Sequence, residues 1–193
     1  MKVKRITQLP GYLALLIITL VAALALGATY TFTETRILEQ SAIAEEKARI
    51  KVMPEADAFE LVPSGDEEIE AVFKALKGGE VVGYVVKTTV NGYGGEIEIV
   101  AGFALDGTIA GISVGGANFK ETPGLGAKAK DKAFTDRFIG KSAPVSVVKS
   151  GKTAGENEVD AIASATITSN AVKDGINRMA GYLLETFISA EGA

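Results

Sequence analysis

Three residue types are missing from this chain of 193 residues: cysteine, histidine and tryptophan. Without Cys and His side chains, the chain cannot hold a thiolate-ligated iron–sulfur cluster, a His-ligated haem or an ordinary zinc ion. Catalytic triads that use His to activate Ser or Cys are excluded for the same reason. No disulfide can form, so cysteine usage says nothing about the redox compartment. Any redox chemistry in this protein must therefore be carried by an organic cofactor.

Basic residues are too few to balance the acidic ones. The chain has 20 Lys and Arg against 24 Asp and Glu, a formal net charge of −4. Lys2, Lys4 and Arg5 give the first ten residues a charge of +3, which leaves −7 for the rest of the chain (−4 less +3). Nucleic-acid phosphates require basic partners. We therefore expect no nucleic-acid partner for this acidic body.

Charged residues are absent from Ile6 to Thr33. Within that window the twenty residues Gly11–Tyr30 are nearly all apolar, and at 1.5 Å per residue a helix of this length spans a hydrocarbon core of about 30 Å. Tyr12 and Tyr30 stand at its two ends, where amphipathic rings favour the membrane interface. The basic residues precede this segment and Glu34 follows it. The pattern predicts a single-pass anchor in the cell (inner) membrane, with the N-terminus cytoplasmic and the C-terminal domain extracytoplasmic.

A cleaved signal peptide is the main alternative to an anchor, because Ala23-Leu24-Ala25 resembles a cleavage site. The apolar run continues through Ala28, which is longer than a usual signal-peptide core. A helix buried in a soluble core is a third interpretation, and it rarely has an apolar surface on every side. The length of the run favours the retained anchor.

Composition divides the chain into an anchor (1–33), a helical stalk or linker (34–62) and a globular domain (63–193). Apolar residues recur near helical spacing among the charges of Glu34–Lys51 and predict the stalk helix. Pro54 and the Pro63-Ser64-Gly65 cluster are typical of its end and of the start of the domain.

The globular part reads as an α+β domain with an antiparallel sheet packed by helices. Asp66–Gly79 predicts a short amphipathic helix with an acidic first turn. The β-branched runs Val81–Val90, Glu96–Leu105 and Thr108–Gly116 predict a three-stranded antiparallel meander. Asn91-Gly92 and Asp106-Gly107 mark the turns between them.

The second half of this domain alternates helix and strand. We expect a helix near Asp131–Ile139, a short strand at Pro144–Val148 and a polar loop from Lys149 to Asp160. A long helix from about Thr168 to Ile188 follows, with apolar residues along one face.

The segment SATITSNAV at the start of this last helix is crowded with hydroxyl groups. Thr168 or Ser169 would serve as its N-cap by accepting a hydrogen bond from a free backbone N–H. A cap explains one or two of the hydroxyls. The N-terminus of a helix is also a ready anion site, and Thr166 lies just upstream, where its hydroxyl could meet a bound phosphate. The residues alone leave both interpretations open.

A second polar loop, NFKETPGLGAK, precedes the helix predicted near Asp131. Gly124 and Gly126 permit positive φ angles and close approach of the backbone to a ligand. Glu121 and Thr122 offer hydrogen bonds beside the apolar Leu125, a mixture that suits an aromatic ligand with polar edges. An ordinary connecting loop is the competing interpretation. The spacing matches neither a phosphate-binding Walker loop nor the three-glycine dinucleotide fingerprint.

The segment GYGGEIEI (Gly92–Ile99) also contains a glycine-rich turn. We interpret Tyr93, between two glycines, as part of a tight turn at the edge of the sheet. Its pattern indicates a role in a site only weakly.

Taken in order behind one apolar helix, GYGGEIEIVAGFALDGTIAGISV, ETPGLGAK and SATITSNAV resemble the covalent FMN-binding domain family. That family includes the G subunit of the Rnf ferredoxin:NAD oxidoreductase complex and the C subunit of the sodium-translocating NADH:quinone reductase. The resemblance covers Lys74 to Phe187. It implies FMN as the cofactor, esterified through its phosphate to a threonine by a flavin transferase.

In this family the threonine follows a pattern like Asp-x-x-Ser/Thr-Gly-Ala-Thr. Asp160, Ala165 and Thr166 match it, while Ala163 and Ser164 replace the hydroxyl residue and the glycine. The downstream residues match and fix the register, so the resemblance implies a phosphoester to Thr166, with Ser164 as a rival acceptor. The implied cofactor-binding residues are Thr166, Ser164, Ala165, Thr168, Ser169, Glu121, Thr122, Gly124, Leu125 and Gly126.

The resemblance implies a membrane-anchored extracytoplasmic flavoprotein that relays electrons in an Rnf-type ion-translocating ferredoxin:NAD oxidoreductase complex. It would complete no catalytic cycle alone, and its partners would be the other integral and peripheral subunits, with the flavin transferase during maturation. A C subunit of the sodium-translocating NADH:quinone reductase, a stand-alone anchored flavin domain and a purely structural tether are the alternatives.

Overall fold

A computed structural model describes residues 10–149, 151 and 155–188 of the chain. Lys2, Lys4 and Arg5, on which the predicted membrane orientation depends, lie outside the described residues. By the density of its contacts the chain divides into two compact units, Met1–Ala44 and Glu45–Ala193.

One helix, α1 (Gly11–Val52), runs without interruption through the predicted anchor and most of the predicted stalk. Its segment Gly11–Glu34 is long and apolar enough to cross a membrane. The hydroxyls of Thr19 and Thr29 donate to carbonyl oxygens four residues earlier, so these polar groups are satisfied within the helix. Pro54 follows the last turn and disfavours helical geometry at the residue before it.

The second unit is built on a five-stranded antiparallel sheet whose strands are neighbours in chain order. Its strands are β1 (Ala58–Val62), β2 (Ala71–Lys77), β3 (Glu80–Asn91), β4 (Glu96–Ala104) and β5 (Ile109–Gly115). The predicted meander is confirmed as β3, β4 and β5, and the α+β fold class with it. The sheet extends further toward the N-terminus than predicted, since β1 lies in the segment assigned to the linker.

The prediction of a helix over Asp66–Gly79 is wrong, because half of that segment is strand β2 and none of it is helical. Gly78 and Gly79 both have positive φ angles, +61° and +90°, and they join β2 to β3 in a two-residue hairpin in which Lys77 pairs with Glu80. Two consecutive residues with positive φ are the geometry of a tight hairpin turn. The two glycines that close the segment predicted as a helix therefore form a hairpin turn.

Short helical turns and two small strands follow the sheet. The predicted helix near Asp131–Ile139 is a short helix, α2 (Lys132–Thr135), flanked by 3-10 turns at Gly126–Lys130 and Asp136–Phe138. Strand β6 (Ser146–Val148) confirms the predicted short strand. It pairs in parallel with β7 (Glu158–Asp160), which occupies the end of the segment predicted as a polar loop.

The last helix, α3 (Thr166–Leu183), continues into a π-helical turn, Leu184–Ile188. It packs on one face of the sheet, where Val172, Ile176 and Met179 are fully buried. Side chains from alternate positions of the strands complete this core, as the two-residue period of a strand requires.

The end of α1 packs on the other face of the sheet, where Val52 and Met53 are fully buried beside Val85 and Val100. The neighbouring strand residues Tyr84, Val86, Ile99 and Ala101 belong to the core on the α3 side. The sheet therefore has an apolar layer on both faces.

An ion-pair cluster ties the same end of α1 to the sheet. The ammonium group of Lys87 in β3 lies 2.6 Å from a carboxylate oxygen of Glu45, 3.2 Å from one of Glu98 and 3.4 Å from one of Glu70. Burial alone would lower the pKa of Lys87, but hydrogen bonds and charge from Glu45 and Glu98 outweigh it and raise that pKa above its usual range. Lys87 is thus firmly protonated.

Candidate functional site

A cavity of about 510 Å³ opens where the turn after β3, the loop after β5 and the start of α3 meet. The residues that line it are Tyr93, Glu121, Thr122, Leu125, Gly126, Ser164, Ala165, Thr166, Ile167 and Thr168. The two motifs that sequence analysis singled out independently therefore line one cavity.

Glu121 holds the walls of this cavity together. The side chain is buried, and one carboxylate oxygen accepts hydrogen bonds from the backbone N–H groups of Tyr93, at 2.7 Å, and Gly94, at 3.0 Å. Its other oxygen accepts a hydrogen bond of 2.8 Å from the hydroxyl of Thr168 in α3. One carboxylate thus joins the turn after β3 to the first turn of the last helix.

Two glycines leave the room that this carboxylate occupies. A Cβ atom on Gly126 would lie 2.0 Å from an oxygen of Glu121 and 2.7 Å from the hydroxyl oxygen of Thr168. A Cβ atom on Gly92 would lie 2.3 Å from the other carboxylate oxygen. Gly126 also lines the cavity, so its predicted role beside a ligand stays a prediction, and its φ is not positive. Gly124 has the expected positive φ, +79°.

The helix α3 begins at Thr166, two residues earlier than predicted, with Ala165 as its N-cap residue and no side-chain cap. The prediction that Thr168 or Ser169 caps the helix is therefore wrong. Thr168 binds Glu121 instead. The buried hydroxyl of Ser169 donates to the carbonyl of Ala165 and accepts from the N–H of Ile162, each at 2.9 Å. Ser169 thereby fixes the segment that leads into the helix.

Ser164 has a φ of +61°, the left-handed conformation that residues with a Cβ rarely adopt. The family pattern has glycine at this position, and the backbone geometry explains why. The turn at Ser164 leads the chain into the first residue of α3, Thr166.

Thr166 is exposed and lines the cavity at the N-terminal end of α3. No residue in the described part of the chain forms a hydrogen bond with its hydroxyl. The first N–H groups of a helix have no acceptor within the helix, and the helix dipole favours negative charge at this end. The start of α3 can therefore receive an anion next to a free hydroxyl.

The cavity includes every predicted site residue except Gly124 and Ser169, and it adds Tyr93 and Ile167. These two side chains are exposed, 71% and 59%, and together with Leu125, at 40%, they give the cavity apolar walls. The sequence predicts Tyr93 as part of a tight turn and indicates a role in a site only weakly. The signal for it was an aromatic residue in a glycine-rich turn, and only the fold places that turn beside α3.

The family model of the FMN-binding domain matches residues 92–181, which contain all of the cavity-lining residues. The chain is 42% identical, over 181 residues, to the G subunit of the Na⁺-translocating ferredoxin:NAD⁺ oxidoreductase complex of Acetobacterium woodii, covering 86% of each chain. It is 35% identical over 188 residues to the G subunit of the ion-translocating oxidoreductase complex of Methanosarcina acetivorans, covering 93% of this chain and 95% of the relative.

Among solved structures, the chain resembles the C subunit of the Na⁺-translocating NADH-quinone reductase of Parabacteroides distasonis, with 32% identity and a TM-score of 0.51. The similarity covers 58% of this chain and 60% of that one. The coverage and identity of the two G-subunit relatives confirm the family that the motifs indicated. The chain carries an FMN-binding domain and belongs to the family of the G subunits of ion-translocating oxidoreductase complexes.

Proposed function

We propose that this chain is the membrane-anchored flavoprotein subunit of an Rnf-type ion-translocating ferredoxin:NAD oxidoreductase complex, in which it relays electrons through FMN esterified to Thr166. The redox translocase is the whole complex, and this chain completes no catalytic cycle alone. The names of its relatives and the FMN-binding domain support the assignment. The single observation that carries the attachment site is the free, exposed hydroxyl of Thr166 inside the cavity.

The cavity suits FMN in size and chemistry. Its volume of about 510 Å³ lies within the range of small-molecule and cofactor sites. The side chains of Tyr93, Leu125 and Ile167 offer apolar surface to a flat ring. The N–H groups at the start of α3 offer donors to a phosphate. The cavity thus offers apolar surface to the ring of FMN and hydrogen-bond donors to its phosphate.

Each part of the chain has a defined task in this proposal. Attachment breaks the O–H bond of Thr166 and one P–O bond of the phosphate and forms an O–P bond between them. The Thr166 proton leaves with the displaced phosphate oxygen, so the net addition is one FMN less one water. The covalent bond removes dissociation as an option outside the cytoplasm. The first turn of α3 holds the phosphate, and the apolar side chains shield the ring. FMN supplies the electron-carrying chemistry that a chain without Cys or His lacks.

The anchor keeps the flavin domain at the membrane surface, at a high effective concentration for the partner subunits. We place the N-terminus in the cytoplasm and the flavin domain outside it, from the basic residues before α1 and the uncharged span that follows. A flavin transferase would act on the chain during maturation.

A C subunit of a sodium-translocating NADH:quinone reductase is the second candidate, and the similarity to a solved structure of such a protein favours it. The two G-subunit relatives are more similar to this chain, with 42% and 35% identity against 32%, and they cover more of it, 86% and 93% against 58%. Gentle detergent extraction of the native complex, followed by identification of the co-purified subunits, distinguishes the two. Ferredoxin-linked reduction of NAD by that complex supports the first.

The attachment is tested by the intact mass of the full chain, expressed with and without a flavin transferase. We expect a gain of one FMN less one water only with the transferase. Thr166→Val keeps the β-branched shape and removes the nucleophilic oxygen, so the added mass and the in-gel flavin fluorescence should vanish while the protein accumulates. Ser164→Ala is the matched control and should stay fluorescent. A fluorescent Thr166→Val together with a dark Ser164→Ala would assign the flavin to Ser164.

A further inference from the structure

The buried carboxylate of Glu121 has a second consequence for the cavity that it lines. We propose that Glu121 lowers the reduction potential of the flavin through its fixed negative charge, and that it does not bind the flavin directly. This inference rests on the proposed function, because it requires FMN in the cavity.

The hydrogen bonds of Glu121 are all made with the protein. Both carboxylate oxygens accept, from Tyr93 N–H, Gly94 N–H and the Thr168 hydroxyl, and the side chain donates to none of them. Both oxygens of the carboxylate are therefore used by donors of the protein. With its oxygens occupied in this way, the side chain acts on a ligand in the cavity by its charge.

The position of this charge is tightly constrained. Glu121 is 6% exposed, and its carboxylate occupies the room that Gly92 and Gly126 leave: a Cβ atom on them would lie 2.3 Å and 2.0 Å from its oxygens. Its partners come from two separate elements, the turn after β3 and the first turn of α3. The carboxylate therefore cannot move into solvent without breaking three hydrogen bonds.

No Lys or Arg within residues 10–149, 151 and 155–188 forms an ion pair with Glu121. N–H and O–H dipoles carry no net charge, so they do not cancel the net negative charge of a buried carboxylate. Burial also weakens the screening of that charge by water. Reduction adds electrons to the isoalloxazine ring. A fixed negative charge in the wall of the same cavity opposes that addition, so it lowers the potential.

Glu121→Gln removes the negative charge of the side chain and keeps its shape. The carbonyl oxygen of a glutamine can accept from Tyr93 N–H and Gly94 N–H, and its amide can donate to the hydroxyl oxygen of Thr168. The side chain keeps its size between Gly92 and Gly126. We therefore expect a folded protein that still carries flavin, but whose cavity wall is neutral.

The test is a spectroscopic redox titration of the full chain in detergent, with flavin attached, at neutral pH. We expect the equilibrium constant for two-electron reduction of Glu121→Gln to rise at least tenfold, a positive shift of about 30 mV or more. Glu60→Gln is the matched control, because it removes one negative charge from an exposed position of β1 that does not line the cavity. Its potential should not rise.

A second readout requires no flavin. Hydrogen exchange of the Tyr93 and Gly94 amides in the unflavinylated chain should be slow in wild type and in Glu121→Gln, and fast in Glu121→Ala, which removes the acceptor. An unchanged or lower potential in Glu121→Gln would overturn the inference, and so would a Gln variant that fails to fold or to take up flavin. If wild type itself carries no flavin under transferase co-expression, the proposed function has failed instead.

Discussion

The carbonyl oxygen of Val52, at the end of α1, lies 2.5 Å from the position that a Cβ atom would take on Gly102 in β4. The paired residue in β5, Gly111, is similar: a Cβ atom there would lie 2.9 Å from the same oxygen. Real Cβ contacts are longer than this. The end of α1 can therefore lie on this face of the sheet only because both strands carry glycine there.

Gly102→Ala should destabilise the domain, because the added methyl group meets backbone atoms that cannot rotate away. Forcing an extra carbon into a packed interior costs about 1–3 kcal/mol. Chemical denaturation of the second unit, followed by circular dichroism, measures this loss.

Gly181→Ala is the control for that substitution. Gly181 lies in α3, and a Cβ atom added there would meet no atom within 4 Å, so alanine should stabilise the helix by up to about 1 kcal/mol. Equal effects at Gly181 and Gly102 would contradict the close packing of Val52.

The stable flavin domain should begin near Glu45, earlier than the boundary at residue 63 that composition predicts. Val52 and Met53 are fully buried, and burial of a side chain of this size contributes about 1.5–3 kcal/mol. A fragment of residues 54–193 lacks both and should melt well below a fragment of residues 45–193. Met53→Ala in the longer fragment should reproduce part of the loss. Equal melting temperatures for the two fragments would show that the end of α1 adds no stability.

Sequence patterns predicted the central strands well and the first two poorly. Strands β3 to β5 are β-branched runs separated by turn dipeptides. The residue types of the runs and the positions of the turns therefore predict the same strands. The residues of β2 are compatible with both a helix and a strand. The following Gly78-Gly79 does not distinguish the two, because a glycine pair can end a helix or form a hairpin turn. Strand β1 is short and mostly exposed, and it becomes a strand only by pairing with β2.

The candidate site was predicted in parts. The resemblance identified both loops, yet the contact between Glu121 and Thr168 joins residues 47 positions apart, and no local pattern predicts it. The hydroxyl groups of Thr168 and Ser169 looked like helix caps because caps use the same residue types. Tertiary partners decided their roles: a buried carboxylate for Thr168, and the segment before the helix for Ser169.

Lys87 should contribute stability that is constant through neutral pH and is lost only in strong alkali. Its folded pKa is raised above the usual 10.5, so the folded state keeps a proton that the unfolded state loses above that pH. The free energy of unfolding therefore falls as pH rises beyond about 10.5. Below that value both states are protonated and the contribution is complete.

Lys87→Met measures this contribution. It leaves Glu45, Glu70 and Glu98 without their shared cation, and because these carboxylates are partly exposed, we expect a loss of between about 1 and 3 kcal/mol at pH 7. Lys77→Met, at the exposed end of β2, is the control and should change stability by less than about 0.5 kcal/mol. A Lys87→Met deficit that already shrinks between pH 7 and pH 9 would contradict the raised pKa.

Ser164→Gly should leave the free energy of unfolding unchanged or raise it slightly, because glycine adopts the observed φ of +61° without strain. The gain is limited to about 1 kcal/mol, since glycine also gains freedom in the unfolded chain. Ser164→Val should destabilise, because a β-branched residue tolerates this conformation worst. Flavin fluorescence should persist in Ser164→Gly, since Thr166 is unchanged. Thermal unfolding and in-gel fluorescence test the pair, and a less stable glycine variant would contradict the assigned backbone geometry.

Leu125→Asp should change the flavin without preventing its attachment. Leu125 is 40% exposed and lines the cavity, so an aspartate there would place a negative charge beside the ring while Thr166 stays free to react. We expect covalent flavin at the wild-type level, an altered absorption spectrum and a lower reduction potential, because the added charge opposes reduction.

Leu61→Asp separates this effect from the general consequences of an added charge. Leu61 is 68% exposed on β1 and does not line the cavity, so its aspartate variant should have the wild-type spectrum and potential. The mass of the attached flavin, the visible spectrum and a redox titration of both variants give the comparison. If Leu125→Asp has the same spectrum and potential as Leu61→Asp, the side chain of Leu125 faces away from the ring, and the apolar wall of the site consists of Tyr93 and Ile167.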